Sequence, residues 1–170
     1  MANFDISFKK LLKWEGGYSN NPNDSGGSTN FGITQNSWND FIKKWPNKSP
    51  KTDVSTLNDL DADQFYFLEY WLPLKLFEVE SQPVADVILS FAVNQGKATA
   101  VKRLQNILQI TADGIIGPNT LAVINAADPK YLVNKFCLAT SAFYDALVKS
   151  KLSDSIFLNG WKHRVADYVV

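Results

Sequence analysis

Cysteine, histidine and methionine each occur once in this chain. A lone cysteine, Cys137, excludes any intramolecular disulfide, so nothing here demands an oxidising compartment. The lone histidine, His163, has no serine or cysteine arrangement to serve, and no His/Cys cluster suggests zinc. An excess of charge is missing too, with 17 basic against 17 acidic side chains. The balance tilts only mildly along the chain: residues 1–80 carry 8 Lys/Arg and 11 Asp/Glu, and residues 81–170 carry 9 and 6. No strong basic footprint marks a dedicated nucleic-acid binder, although the second half suits an anionic polymer. No window approaches the ~20 apolar residues of a membrane span. The opening Met1-Ala2-Asn3-Phe4-Asp5 has neither a basic n-region nor an apolar h-region. The expectation is a soluble protein made in the cytoplasm without a cleavable signal peptide, which would need separate release to act outside. Repeats, low-complexity tracts and long linkers are also absent.

What is present is a globular composition, 45% hydrophobic and 13% aromatic. A chain of 170 residues buries roughly two-thirds of its unfolded surface, as one domain or two closely packed lobes. Phe4, Phe8, Leu11 and Leu12 recur at helical spacing and predict a helix over 4–15, stopped by Gly16-Gly17. The turn-rich segment from Tyr18 to Ile33 predicts short strands. Thr34 caps a helix striped by Trp38, Phe41, Ile42 and Trp45. Asp61 and Gln64 have capping-box spacing for a helix that Pro73 ends. Helices are further predicted from Pro83 to about Gln95, over 98–108, after Gly117-Pro118, and at length after Asp128-Pro129. Gly160 breaks the pattern before a last piece at 161–168. The fold class is therefore mainly α, an α+β arrangement of helical lobes with one small hairpin near residues 18–34.

Glu15 and Asp24 stand out. Glu15 ends the first predicted helix, where the macrodipole disfavours a second negative charge, and Trp14 and Tyr18 add desolvation. Both effects favour a protonated carboxyl, as a general acid needs. The alternative is a solvated helix-end glutamate. Asp24 lies across a turn from Glu15, among glycines that allow backbone to approach a ligand. A second carboxylate, with Thr29 helping, places the water for glycoside hydrolysis; the alternative is an Asx-turn aspartate beside a hairpin threonine. Tyr18, Phe31 and Trp71 offer rings for sugar faces or for the core. Gly32 offers close backbone approach. Asn94 and Gln95 either bond acetamido groups on the other side of a cleft or cap a helix end. Asp59, Asp61 and Asp63 lack the glycine and distal glutamate of a calcium loop and read as helix capping. Cys137 packs as a small hydrophobe.

Leu11-Leu12-Lys13-Trp14-Glu15-Gly16-Gly17-Tyr18, Asn21-Pro22-Asn23-Asp24-Ser25-Gly26-Gly27-Ser28-Thr29 and Phe31-Gly32-Ile33-Thr34 closely resemble the N-acetylmuramidases of glycoside hydrolase family 108. That family includes phage endolysins and proteins described as secretion activators. Tyr70-Trp71, Val84-Ala85-Asp86 and Ala92-Val93-Asn94-Gln95-Gly96 resemble its middle section. Leu104-Gln105, Asp113-Gly114-Ile115-Ile116-Gly117-Pro118 and Thr120-Leu121 resemble its C-terminal peptidoglycan-binding region, and Gly160-Trp161 with Arg164-Val165 its closing motif. The resemblance implies a lysozyme-like catalytic region over 1–92 and a peptidoglycan-binding region over 93–170. Glu15 becomes the catalytic acid, and Asp24 and Thr29 the water-placing pair of phage-type lysozymes. The substrate is peptidoglycan glycan strands, reached through holin-type or other release. No cofactor, nucleic-acid partner or membrane span is expected, and a monomer is. A lytic transglycosylase, or a non-catalytic wall-binding or secretion-associated protein, is the alternative.

Overall fold

The computed structural model describes residues 1–15, 17–19 and 28–170, so Asp24 lies outside the described residues. These divide into two compact units, one of residues 4–73 and one that joins residues 1–3 to residues 74–170.

The first unit opens with α1 (Phe4–Leu12), whose Phe8 and Leu11 turn inward. The predicted helix over 4–15 ends three residues early: Trp14 N–H bonds back to Leu11 O at 2.9 Å, and Glu15 falls in the bend that follows. Strands β1 (Thr29–Asn30) and β2 (Ile33–Thr34) pair antiparallel, Thr29 opposite Thr34 and Asn30 opposite Ile33. Thr34 then caps α2 (Gln35–Lys44), accepting from Ser37 N–H at 3.1 Å. The helix seats Trp38 and Phe41 in the core. After a 3₁₀ turn (Val54–Thr56) comes α3 (Asp59–Tyr66). Its capping box begins at Asn58, so Asp61 is the third helical residue and not the cap: Asn58 and Asp61 each accept the other's backbone N–H. A π-helical turn (Phe67–Trp71) closes the unit, with Leu72 N–H reaching Phe67 O at 3.0 Å.

In the second unit, Ala2 N–H donates to Val79 O at 2.7 Å and Asn3 N–H to Gln82 Oε1 at 2.7 Å. These bonds tie the chain's start to the segment before α4 (Gln82–Gln95) and to its first residue. Every residue from Val84 to Ala92 is buried, so α4 is enclosed on all faces, as an apolar helix without an amphipathic stripe must be. It packs against α5 (Lys97–Ile107) and α7 (Pro129–Ser150), and Phe91 meets the Phe136 ring edge-on at 4.9 Å. Between α5 and α7 lies α6 (Pro118–Ala126), with proline in its first turn. The final α8 (Ser155–Ala166) runs straight through Gly160, where sequence reading placed a break. Gly160 costs about 0.5–1 kcal/mol there. Stacking of Trp161 on Tyr144, and burial of Arg164 and Val165, hold the helix together regardless.

Among the described residues no helix is long and apolar enough to cross a membrane.

Candidate active site

The site grows from the hairpin. Its two-residue loop, Phe31-Gly32, has positive φ at both positions, +51° and +74°. This is the primed turn that matches the right-handed twist of paired strands. For phenylalanine that conformation is uncommon and costs on the order of 1–3 kcal/mol, so the surroundings must impose it. They do so twice. Buried Asn30 sends its side-chain amide to Val54 O (3.1 Å) and Leu57 O (3.4 Å), pinning the strand before the loop. Tyr66, at the end of α3, donates its hydroxyl to Phe31 O at 2.7 Å.

Glu15 meets this braced turn. A Cβ placed on Gly32 would fall on Glu15 Oε2, lie 2.7 Å from Glu15 Cδ and 3.0 Å from Tyr66 Oη. The half-buried carboxyl therefore rests against a bare α-carbon beside a phenol, in contact that any side chain at position 32 would prevent. Tyr70 completes the surroundings. Burial pushes its phenol pKa up, and the negative charges of Glu15 and then Glu69 push it further. Glu69 is itself tied down, accepting from Lys44 Nζ at 2.8 Å and Trp45 Nε1 at 2.9 Å. The Tyr66 and Tyr70 rings lie 5.8 Å apart, and the second stands on the π-helical turn. Such turns recur at functional sites.

Thr29 is half-buried on β1 and exchanges both backbone bonds with Ser19 at 2.8 Å, which binds the segment after Glu15 to the hairpin. Next to it, Tyr18 is 51% exposed, and Gly32 is exposed as well. Trp71 is only 2% exposed, packed edge-on against Phe4 at 5.4 Å, so its ring serves the core and not a sugar. Asn94 and Gln95 belong to the second unit. There Asn94 Oδ1 accepts from the Tyr144 hydroxyl at 2.8 Å, and Gln95 Nε2 lies 3.3 Å from the same oxygen. Sequence reasoning missed Tyr66 and Tyr70. Their i, i+4 spacing was the available signal, because it sets two phenols on one helical face.

Among the described residues no group of three His, Cys, Asp or Glu side chains is arranged to hold a metal. Asp61, the middle of the three spaced aspartates, is committed to Ser49, Lys51 and the Asn58 N–H.

Residues 8–96 match the family described as Glycosyl hydrolase 108, and residues 99–166 match the one described as Predicted Peptidoglycan domain. The structure of Brucella abortus SagA is similar, with a TM-score of 0.79 and 31% identity over 97% of this chain and 90% of that one. No match is found among curated proteins. The two regions together support a glycosidase directed at peptidoglycan. A family match over more than half the chain and a lysozyme-like helical fold with one small antiparallel hairpin agree: the chain belongs to glycosyl hydrolase family 108.

Proposed function

We propose that the protein is an N-acetylmuramidase, cleaving the β-1,4 bond between N-acetylmuramic acid and N-acetylglucosamine, with Glu15 as general acid. The observation that carries this reading is the contact of the Glu15 carboxyl with Gly32 beside Tyr66. A carboxyl held against apolar backbone on one side has few ways to turn away from a bound glycosidic oxygen. A fixed geometry of this kind is what proton donation to a leaving group requires. As the bond breaks, the sugar develops oxocarbenium character and the Glu15 proton passes to the departing oxygen. Asp24, assisted by Thr29, then places the attacking water. The chemistry needs two carboxyl groups and a shaped site, and no cofactor.

The test is Glu15→Gln, assayed by turbidity clearing of bacterial walls and by new reducing ends. A loss of about 10²–10⁴-fold is expected for removal of a general acid. Undiminished lysis by the folded variant would sink the assignment. Mass spectrometry of wild-type products separates hydrolysis, which adds a water, from anhydro-sugar release by a transglycosylase.

A further inference from the structure

The chain has two arginines, and their surroundings differ. Arg164 is buried and shares the neighbourhood of Tyr168 with Asp86 and Asp167. Arg103, on α5, is half-buried without any such company. Its guanidinium carbon sits 4.2 Å from the centre of the Phe143 ring, and Nη1 donates to Gln95 Oε1. Among the described residues no carboxylate pairs with it, and its remaining N–H donors have no partner. Burial lowers its pKa from the usual arginine range, offset in part by the Tyr144 phenol.

Gln95 does not hold Arg103 alone. The Gln95 amide nitrogen turns to Tyr144 Oη at 3.3 Å, and the Tyr144 hydroxyl donates onward to Asn94 Oδ1 at 2.8 Å. The Tyr144 ring is in turn stacked on Trp161 at 4.9 Å. Every group in this relay is neutral, so it orients the guanidinium without compensating its charge. The Phe143 ring face offsets part of the desolvation, and the open N–H donors are not buried, so they remain accessible to a ligand. A planar fork with open N–H donors matches one ligand best, a carboxylate bound through two parallel hydrogen bonds.

We infer that Arg103, oriented by Gln95 and backed by Phe143, receives a carboxylate of the wall polymer, giving the second unit an anion-recognition point of its own. The inference rests on the peptidoglycan reading above. Two sources carry the same chemistry: the lactyl group of muramic acid, and the stem peptide.

The test uses the full chain, ¹⁵N-labelled, and reads the Arg Nε–H resonances. Two arginines make assignment simple, because Arg103→Lys removes one of them. The titrants are a disaccharide-tetrapeptide muropeptide, its carboxyl methyl ester, and the peptide-free disaccharide with a free lactyl carboxylate. The Arg103 resonance is expected to shift saturably with a free-carboxylate ligand and to stay in place with the ester. Arg103→Lys, which keeps the charge but loses the fork, should weaken binding about tenfold. A response to the peptide-free disaccharide alone assigns the lactyl source, and a response to the peptide-bearing ligand alone assigns the stem; both uphold the inference. An equal shift with the ester, or no shift with any of the three, overturns it. The Glu15→Gln assay is independent: retained lysis would remove the muramidase reading while leaving a positive titration standing, and a negative titration beside a dead Glu15→Gln variant would remove only the role of Arg103.

Discussion

Gly32→Ala is the most informative single change. The new methyl group meets two penalties. At φ +74° an L side chain costs roughly 1–2 kcal/mol that glycine avoids. The methyl would also overlap Glu15 Oε2 and lie only 2.7 Å from Cδ, inside normal contact. Overpacking of this kind costs about 1–3 kcal/mol. Together they predict a loss of about 2–5 kcal/mol, or roughly 4–20 °C in Tm at about 2–4 °C per kcal/mol for a chain of this size. The catalytic cost is separate. Relieving the overlap moves the carboxyl by on the order of 1 Å, a displacement that costs about 10²-fold when reacting groups must align. Wall-lysis kcat is measured at 20 °C, below the lowered Tm, beside urea unfolding. Two controls divide the effect. Gly114→Ala carries the same backbone strain at φ +84° against Ala98 and Lys102, and Gly17→Ala adds a methyl to open space. Gly114→Ala should lose stability while keeping kcat, and Gly17→Ala should lose little stability. A folded Gly32→Ala enzyme within about threefold of the parent kcat would refute the claim that this glycine sets the position of Glu15.

Two further changes probe the scaffold. Asp61 is pushed up by burial, but Lys51 at 2.5 Å, the Asn58 N–H and Ser49 outweigh that and hold its pKa below 3.8. Asp61→Asn should cost about 1.5–3 kcal/mol at pH 7. Because the folded pKa is the lower one, this stability is fully present above about 3.8 and is lost as pH falls through the folded value. The urea-midpoint gap between parent and variant should therefore narrow at pH 3, and a constant gap would count against the ion pair. In the second unit, fully buried Gln105 accepts from Gly114 N–H at 2.8 Å, and its amide nitrogen lies 2.7 Å from Asp113 Oδ1 and 3.0 Å from Ile115 O. Gln105→Leu should lower stability by about 2–3 kcal/mol in urea unfolding, since it strands those groups together. A loss below about 0.5 kcal/mol would show that the loop holds itself.

Periodicity revealed most of the helices because they bury a stripe, whereas α4 is buried on every face; Thr34, Pro83, Pro118 and Asp128 mark starts in residues whose chemistry is local. It failed where distant packing decides. Gly160 reads as a stop, yet Trp161 stacked on Tyr144 carries the helix across it. Asp61 reads as a cap, yet Asn58 takes that place because Asp61 can then return a bond to the Asn58 N–H. Glu15 is singled out by its motif, but the side chains that surround it are not. Tyr66 and Tyr70 look like two more core aromatics, and the π-helical turn under Tyr70 has no period that a sequence displays. Phe31 was marked as a ring for sugars, and its left-handed backbone, not readable from a phenylalanine, proves to be half of the turn that supports Glu15.

The bonds from Ala2 to Val79 and from Asn3 to Gln82 have a genetic meaning. Because residues 1–3 belong with residues 74–170, the backbone crosses from one unit to the other twice. No single recombination point can exchange either unit whole. A crossover at 96–99, where the two family matches meet, would leave α4 behind and strip α5 and α7 of the helix they pack against. A hybrid that joins residues 1–98 of another chain to residues 99–170 of this one should therefore fold only if the incoming helix packs on α5 and α7 as α4 does.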